Sequence, residues 1–68
     1  MIKVRWYNRK GSETKTYDVV QEAQEVVDAA QKAGALVVDE TDQDVALERG
    51  AKVQEGHEYL LVPAIAGG

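Results

Sequence analysis

The sequence predicts a two-layer α+β domain, a small sheet covered on one face by one helix. Three observations carry that reading. "IKVRWYN" at the start alternates with period two, residues 19–33 carry an apolar stripe at spacings of three and four, and "HEYLLVPAI" forms an apolar run near the end. Period two marks a half-buried strand, and 3.6 marks an amphipathic helix.

Taken in order, Ile2, Val4 and Trp6 fall on one side of the first strand and Lys3, Arg5 and Tyr7 on the other. "RKGS" supplies a turn around Gly11, and "ETKTYDV" is β-prone through Thr14, Thr16 and Tyr17, so the two segments read as a hairpin. Asp18 is a candidate helix N-cap, with Gln21 three residues on in the capping-box position. The apolar stripe that follows is Val19, Val20, Ala23, Val26, Val27, Ala30 and Ala33. Gln21, Glu22, Gln24, Glu25, Asp28 and Gln31 are assigned to the opposite, polar side. Lys32 suits the last turn and Gly34 the C-terminal cap. "ALVVDE" reads as a short strand, "TDQD" as a polar loop, and the segment with Gly50 and Gly56 as turns, with a short strand near Val45–Leu47. The last strand should lose its pairing at Pro63, which has no N–H to donate. Val20, Ala23, Val27 and Ala30 are expected to pack on Ile2, Val4, Leu36 or Val37, Tyr59 and Leu61.

Composition bounds the function. With 68 residues the chain is one domain, and without cysteine it has no disulfide, thiolate metal site or cysteine nucleophile. No apolar stretch reaches the roughly 20 residues of a membrane span, and "MIKVRWYNRK" is unlike a signal peptide, so a cytoplasmic location is expected. A net charge of −4 argues against nucleic acid as the main partner. The charge is unevenly placed. Lys3, Arg5, Arg9, Lys10 and Lys15 lie early, and Asp39, Glu40, Asp42, Asp44 and Glu48 lie in the second half. This distribution reads either as steering toward a charged partner or as two solvated surfaces.

The chain closes on "LLVPAIAGG". Two glycines make the slimmest and most pliable tip a chain can have, and Pro63 stiffens the exit from the last strand. The element order, together with "GAKVQEGHEYLLVPAIAGG", resembles the β-grasp, ubiquitin-like fold. Its sulfur-carrier branch is the nearest likeness: the small subunit of molybdopterin synthase, the thiamine-pathway sulfur carrier and the small archaeal modifiers. The matching positions are Val53, Glu55-Gly56, Glu58, the run Tyr59 to Val62, Pro63, Ile65 and Gly67-Gly68. His57 stands where those families usually have aspartate, and Ala64 where a second proline is common.

The resemblance implies a β-grasp domain over residues 1–63, with a mixed four- to five-stranded sheet, and a flexible Gly-Gly arm over residues 64–68. It implies no catalytic group of the chain's own and no bound cofactor. The reactive group would be the carboxylate of Gly68, presented on Pro63, Ala64, Ile65, Ala66 and Gly67. A ubiquitin-activating-type enzyme would adenylate that carboxylate with ATP. The product would be a thiocarboxylate for a downstream sulfur acceptor enzyme (molybdopterin, thiamine or tRNA-type pathways) or a bond to protein lysines. The alternative is a non-catalytic β-grasp binding module or subunit. Nucleic acid and membrane are not expected partners.

Other residues point elsewhere only weakly. His57 is the one histidine and has no companion for a metal site, so a turn-edge position is expected and no metal. The acidic stretch reads as a solvated face, and Trp6 as core. Alternation in the last strand separates Tyr59 and Leu61 from Leu60 and Val62. Matching Leu61 to the core position of the last strand in the families it resembles leaves Leu60 and Val62 on the uncovered face, and with Tyr7, Arg5 and Lys3 around them they are the expected partner surface: an apolar centre with a basic rim.

Overall fold

The first two strands pair in register from Ile2 opposite Tyr17 to Asn8 opposite Gly11 in a computed structural model that describes residues 1–8 and 10–63. They are β1 (Ile2–Asn8) and β2 (Gly11–Tyr17). Gly11 has φ +130°, a backbone angle that side chains disfavour, and this is why a glycine closes the hairpin. The remaining elements are α1 (Val20–Lys32), β3 (Leu36–Asp39), β4 (Val45–Ala46) and β5 (Glu58–Val62). The sheet order is β2-β1-β5-β3-β4. β5 runs parallel to β1 and antiparallel to β3, so the last strand occupies the middle of a mixed sheet. With one helix on one face, this is the β-grasp, ubiquitin-like architecture.

The helix ends as expected but begins differently. Ala33 is the C-cap, and Gly34 follows at φ +92°. The Gly34 N–H donates to the Gln31 carbonyl at 3.0 Å and the Ala35 N–H to the Ala30 carbonyl at 2.9 Å, the paired bonds of a Schellman ending. At the other end Asp18 is not the cap. Val19 is, in extended conformation, with no side-chain cap. Its carbonyl receives the N–H groups of Glu22 and Ala23. Tyr17 is anchored in the core opposite Ile2, and the chain uses Asp18 and Val19 to turn from strand to helix.

The core consists of Ile2, Val4, Tyr17, Ala23, Val27, Val37, Val53, Tyr59 and Leu61. Ala23 and Val27 are the helix's fully buried apolar residues, while Val20 is 40% exposed. The buried row therefore follows the i, i+4 ridge 23–27–31 rather than the broader stripe. That ridge also takes in Gln31, which the sequence placed on the polar side and which is only 6% exposed. Trp6 keeps core parity but is only partly buried, at the rim of the cluster. Between Leu36 and Val37, the core takes Val37.

Two glutamines on the helix hold the long 47–57 connection against it. Gln31 donates to the carbonyls of Leu47 and Glu48 at 3.3 and 3.1 Å. Gln24 accepts from the Val53 N–H at 2.8 Å and donates to the Ala51 carbonyl at 3.1 Å. A segment without its own ladder needs such partners for its backbone groups. Their spacing of seven residues is two helical turns, so both side chains leave the helix on nearly the same side.

Candidate functional site: the uncovered sheet face and the end of β5

Register determines which side chains share the face away from the helix. Tyr59 and Leu61 are buried, so Glu58, Leu60 and Val62 point the other way. Leu60 lies between Arg5 of β1 and Val38 of β3, and Val62 lies opposite Leu36. Tyr7 has the same outward parity on β1 as Arg5. The result is an apolar area of Leu36, Val38, Leu60, Val62 and Tyr7, with Leu36 and Tyr7 each 52% exposed and Val62 38% exposed. Leu60 and Val38, in the middle, are half-buried by their neighbours. Leu36 and Val38 were not expected here. "ALVVDE" is apolar at four consecutive positions and so has no alternation from which to assign faces.

The rim of this face differs from the basic one expected. Arg5 donates to Glu40 at 2.6 Å, and Lys3 lies 3.7 Å from Glu58. The hydrogen bond and charge of Glu40 hold the Arg5 guanidinium above its ordinary pKa. Two of the early bases, Lys3 and Arg5, thus face acids from later in the chain, Glu58 and Glu40. Charges distant in sequence meet because β5 docks parallel to β1, with Glu40, just after β3, on its other side and within reach of Arg5 across it.

The acidic stretch is likewise not a uniformly solvated face. Asp39, 6% exposed, accepts the Thr41 and Asp42 N–H groups on Oδ1 at 3.0 and 3.2 Å. Its Oδ2 lies 2.8 Å from His57 Nδ1. The His57 ring stacks with Tyr59, centroids 6.2 Å apart. The Tyr59 hydroxyl accepts the Gln54 N–H at 2.8 Å, and the Glu58 N–H donates to Thr41 Oγ1 at 2.9 Å. Burial pushes the Tyr59 phenol above its ordinary pKa and nearby Asp39 adds to this, while the Gln54 bond opposes it. This network ties the β3–β4 turn to the entry of β5. His57 is therefore at a turn edge, as expected, but engaged, and pairing across 18 positions left no local motif to reveal it.

The end of β5 is built by the same two neighbours. Leu61 and Val62 pair with Val37 and Leu36, Leu61 also pairs with Trp6, and the ladder stops at Val62, one residue before Pro63. Ala64, Ile65, Ala66, Gly67 and Gly68, the expected arm and reactive carboxylate, lie outside the described residues. Among the described residues no group of three or more His, Cys, Asp or Glu side chains is arranged to hold a metal ion. Nor, among these residues, is any helix long and apolar enough to cross a membrane.

Compared with models of known protein families, with curated proteins and with solved structures, the chain has no significant match. Its likeness to ubiquitin-like proteins therefore rests on element order, sheet order and register.

Proposed function

We propose that this chain is a ubiquitin-like carrier, the protein substrate of an ATP-dependent activating enzyme rather than an enzyme itself. The observation that carries the reading is the position of β5. It is hydrogen-bonded on both sides in the middle of the sheet, and it ends where Pro63 removes the next donor. The described chain thus ends on a strand paired on both sides. In sequence the residues after Pro63 are small and apolar and finish in Gly67-Gly68.

The chemistry runs through the Gly68 carboxylate. A carboxylate is a poor acyl electrophile, and attack on the α-phosphorus of ATP converts it to an acyl-adenylate with release of pyrophosphate. Sulfide-level sulfur, as hydrosulfide, then displaces AMP to leave a thiocarboxylate and a proton, or an amine displaces it to leave an amide. Without a Cβ, Gly67 and Gly68 offer no bulk to a narrow channel. The partner enzyme supplies ATP and the catalytic groups. Leu36, Val38, Leu60, Val62 and Tyr7 form the docking area. An apolar area of this kind is usually used by a small monomer. The sulfur-carrier role stands ahead of lysine conjugation, and the setting is cytoplasmic.

Intact mass spectrometry of the protein from its native cell tests the reading. A gain of about 16 Da confined to the C-terminal peptide marks sulfur in place of oxygen. Gly-Gly remnants on lysines of other proteins mark conjugation. Protein isolated with neither, under conditions where the activating enzyme is present, makes the chain a β-grasp binding module instead.

A further inference from the structure

β2 lies at the end of the sheet order, so one of its sides pairs with β1 and, among the described residues, no strand pairs with the other. Residues 11–16 of this strand are all exposed. Edge strands are commonly blunted by proline, by a bulge or by short length. β2 has no proline, and its register with β1 runs without a bulge through seven pairs.

That register determines which backbone groups face outward. Asn8 pairs with Gly11 across a two-residue loop, and a loop of that length is closed by a hydrogen-bonded pair. Hydrogen-bonded pairs then recur at every second position, at Glu13, Lys15 and Tyr17. Ser12, Thr14 and Thr16 therefore turn their N–H and C=O groups away from β1, toward the free edge. Side chains alternate in the same rhythm. Tyr17 is buried in the core, and Lys15 Nζ lies 5.3 Å from the centre of its ring. Lys15 and Glu13 thus lie on the helix side of the sheet, and Ser12, Thr14 and Thr16 on the other.

We propose that this edge pairs antiparallel with the same edge of a second copy of the chain, about a two-fold axis at Thr14. An antiparallel partner must set its own outward-facing residues opposite Ser12, Thr14 and Thr16, so even-numbered residues meet even-numbered ones. Centred on Thr14, that residue exchanges both of its backbone bonds with its copy, and Ser12 does the same with Thr16. Glu13 then stands opposite Lys15 of the second copy, and Lys15 opposite Glu13, at the closely spaced positions between the hydrogen-bonded pairs. Opposite charges and paired Ser and Thr hydroxyls both favour strand pairing. The adjacent registers fail on charge. Centred on residue 13 the pairing sets Glu13 against Glu13, and centred on residue 15 it sets Lys15 against Lys15. Like charges directly opposite one another destabilise a sheet. Larger shifts separate Glu13 from Lys15 and shorten the ladder. The edge is therefore complementary to itself in one register, which is what a symmetric dimer requires. The two sheets join into one, with both helices on the same face. Leu60 and Val62 lie on β5, beyond β1, and stay uncovered, so the inference is independent of the carrier reading. The contact is one strand wide, so the dimer forms and dissociates with concentration.

Sedimentation of the full chain over a concentration series, with Glu13→Lys and Lys15→Glu beside wild type, tests the pairing. Both positions are exposed, so the variants are expected to fold, and far-UV circular dichroism checks this. Each variant alone sets like charges opposite one another and should associate at least roughly tenfold more weakly than wild type. An equimolar mixture of the two variants places lysines opposite glutamates again and should recover association as a heterodimer. The double variant Glu13→Lys with Lys15→Glu should recover it by itself. In wild type, the amide resonances of Ser12, Thr14 and Thr16 are expected to move with concentration. A wild type that stays monomeric up to about 1 mM overturns the proposal and leaves the edge to a different extended segment. Association that the single variants do not weaken, or that their mixture does not restore, also overturns it. So does a dimer that is lost in Val62→Asp, because the open face is then the interface.

Discussion

Asp39 uses its two carboxylate oxygens for different tasks, one to cap the 41–42 turn and one to hold His57. Removing a buried acceptor leaves its donors unpaired, which costs more than the bond itself returns. Asp39→Ala is therefore expected to destabilise the fold by about 1–3 kcal/mol in denaturant unfolding, and Asp39→Asn, which keeps the Oδ1 acceptor, by distinctly less. Tyr59 gives a residue-scale prediction in pH. Its phenol is raised in the folded state, so as pH climbs past about 10 the unfolded chain loses this proton first. The Tyr59 contribution to stability is full below that pH and is lost as pH rises through the folded value. Tyr59→Phe should abolish this alkaline component in thermal melts. At neutral pH it should cost about 1 kcal/mol through the lost Gln54 bond.

At the scale of elements, the helix is both the cover of the sheet and the scaffold of a loop. Gln31→Ala should release the Leu47 and Glu48 carbonyls and destabilise the protein by about 1–2 kcal/mol. Amide hydrogen exchange should then quicken across residues 47–53, with β1 and β5 unaffected at first. The turn before β4 carries the opposite opportunity. The Val45 N–H donates to the Asp42 carbonyl at 3.2 Å, with Gln43 and Asp44 at φ 56° and 58°. Two adjacent left-handed residues suit Asn-Gly best. Asp44→Gly is expected to raise stability by roughly 0.5–1 kcal/mol by relieving that backbone cost, measured as a higher denaturation midpoint.

For the whole molecule, the sheet separates two uses of its faces. One face closes the core under α1, and the other exposes Leu36, Val62 and Tyr7 beside half-buried Leu60 and Val38. Val62→Asp is expected to leave the fold intact, with an unfolding cost below about 1 kcal/mol for an exposed strand position. On the carrier reading, it should also sharply reduce transfer from the arm by the activating partner. Unimpaired transfer by the folded variant removes this face from the mechanism, and loss of folding returns Val62 to the core.

The sequence by itself determined the elements whose periodicity is local. Alternation in "IKVRWYN" assigned Ile2 and Val4 to the core, whereas in "HEYLLVP" it only separated Tyr59 and Leu61 from Leu60 and Val62; the likeness to the β-grasp last strand chose Leu61 for the core side, as found. Gly34 marked the helix end because a left-handed residue is needed there. The i+4 spacing of Ala23, Val27 and Gln31 also held the clue to Gln31's burial, but its polarity argued the other way. Only the tertiary structure decided the rest. The choice of Val37 over Leu36, the Asp39–His57 pair, the two glutamine anchors and the neutralised rim of Arg5 and Lys3 all depend on partners brought together by strand order. Periodicity assigns a residue to a face of its own element. Which distant residue lies opposite is set by the parallel docking of β5 between β1 and β3, and no local pattern carries that information.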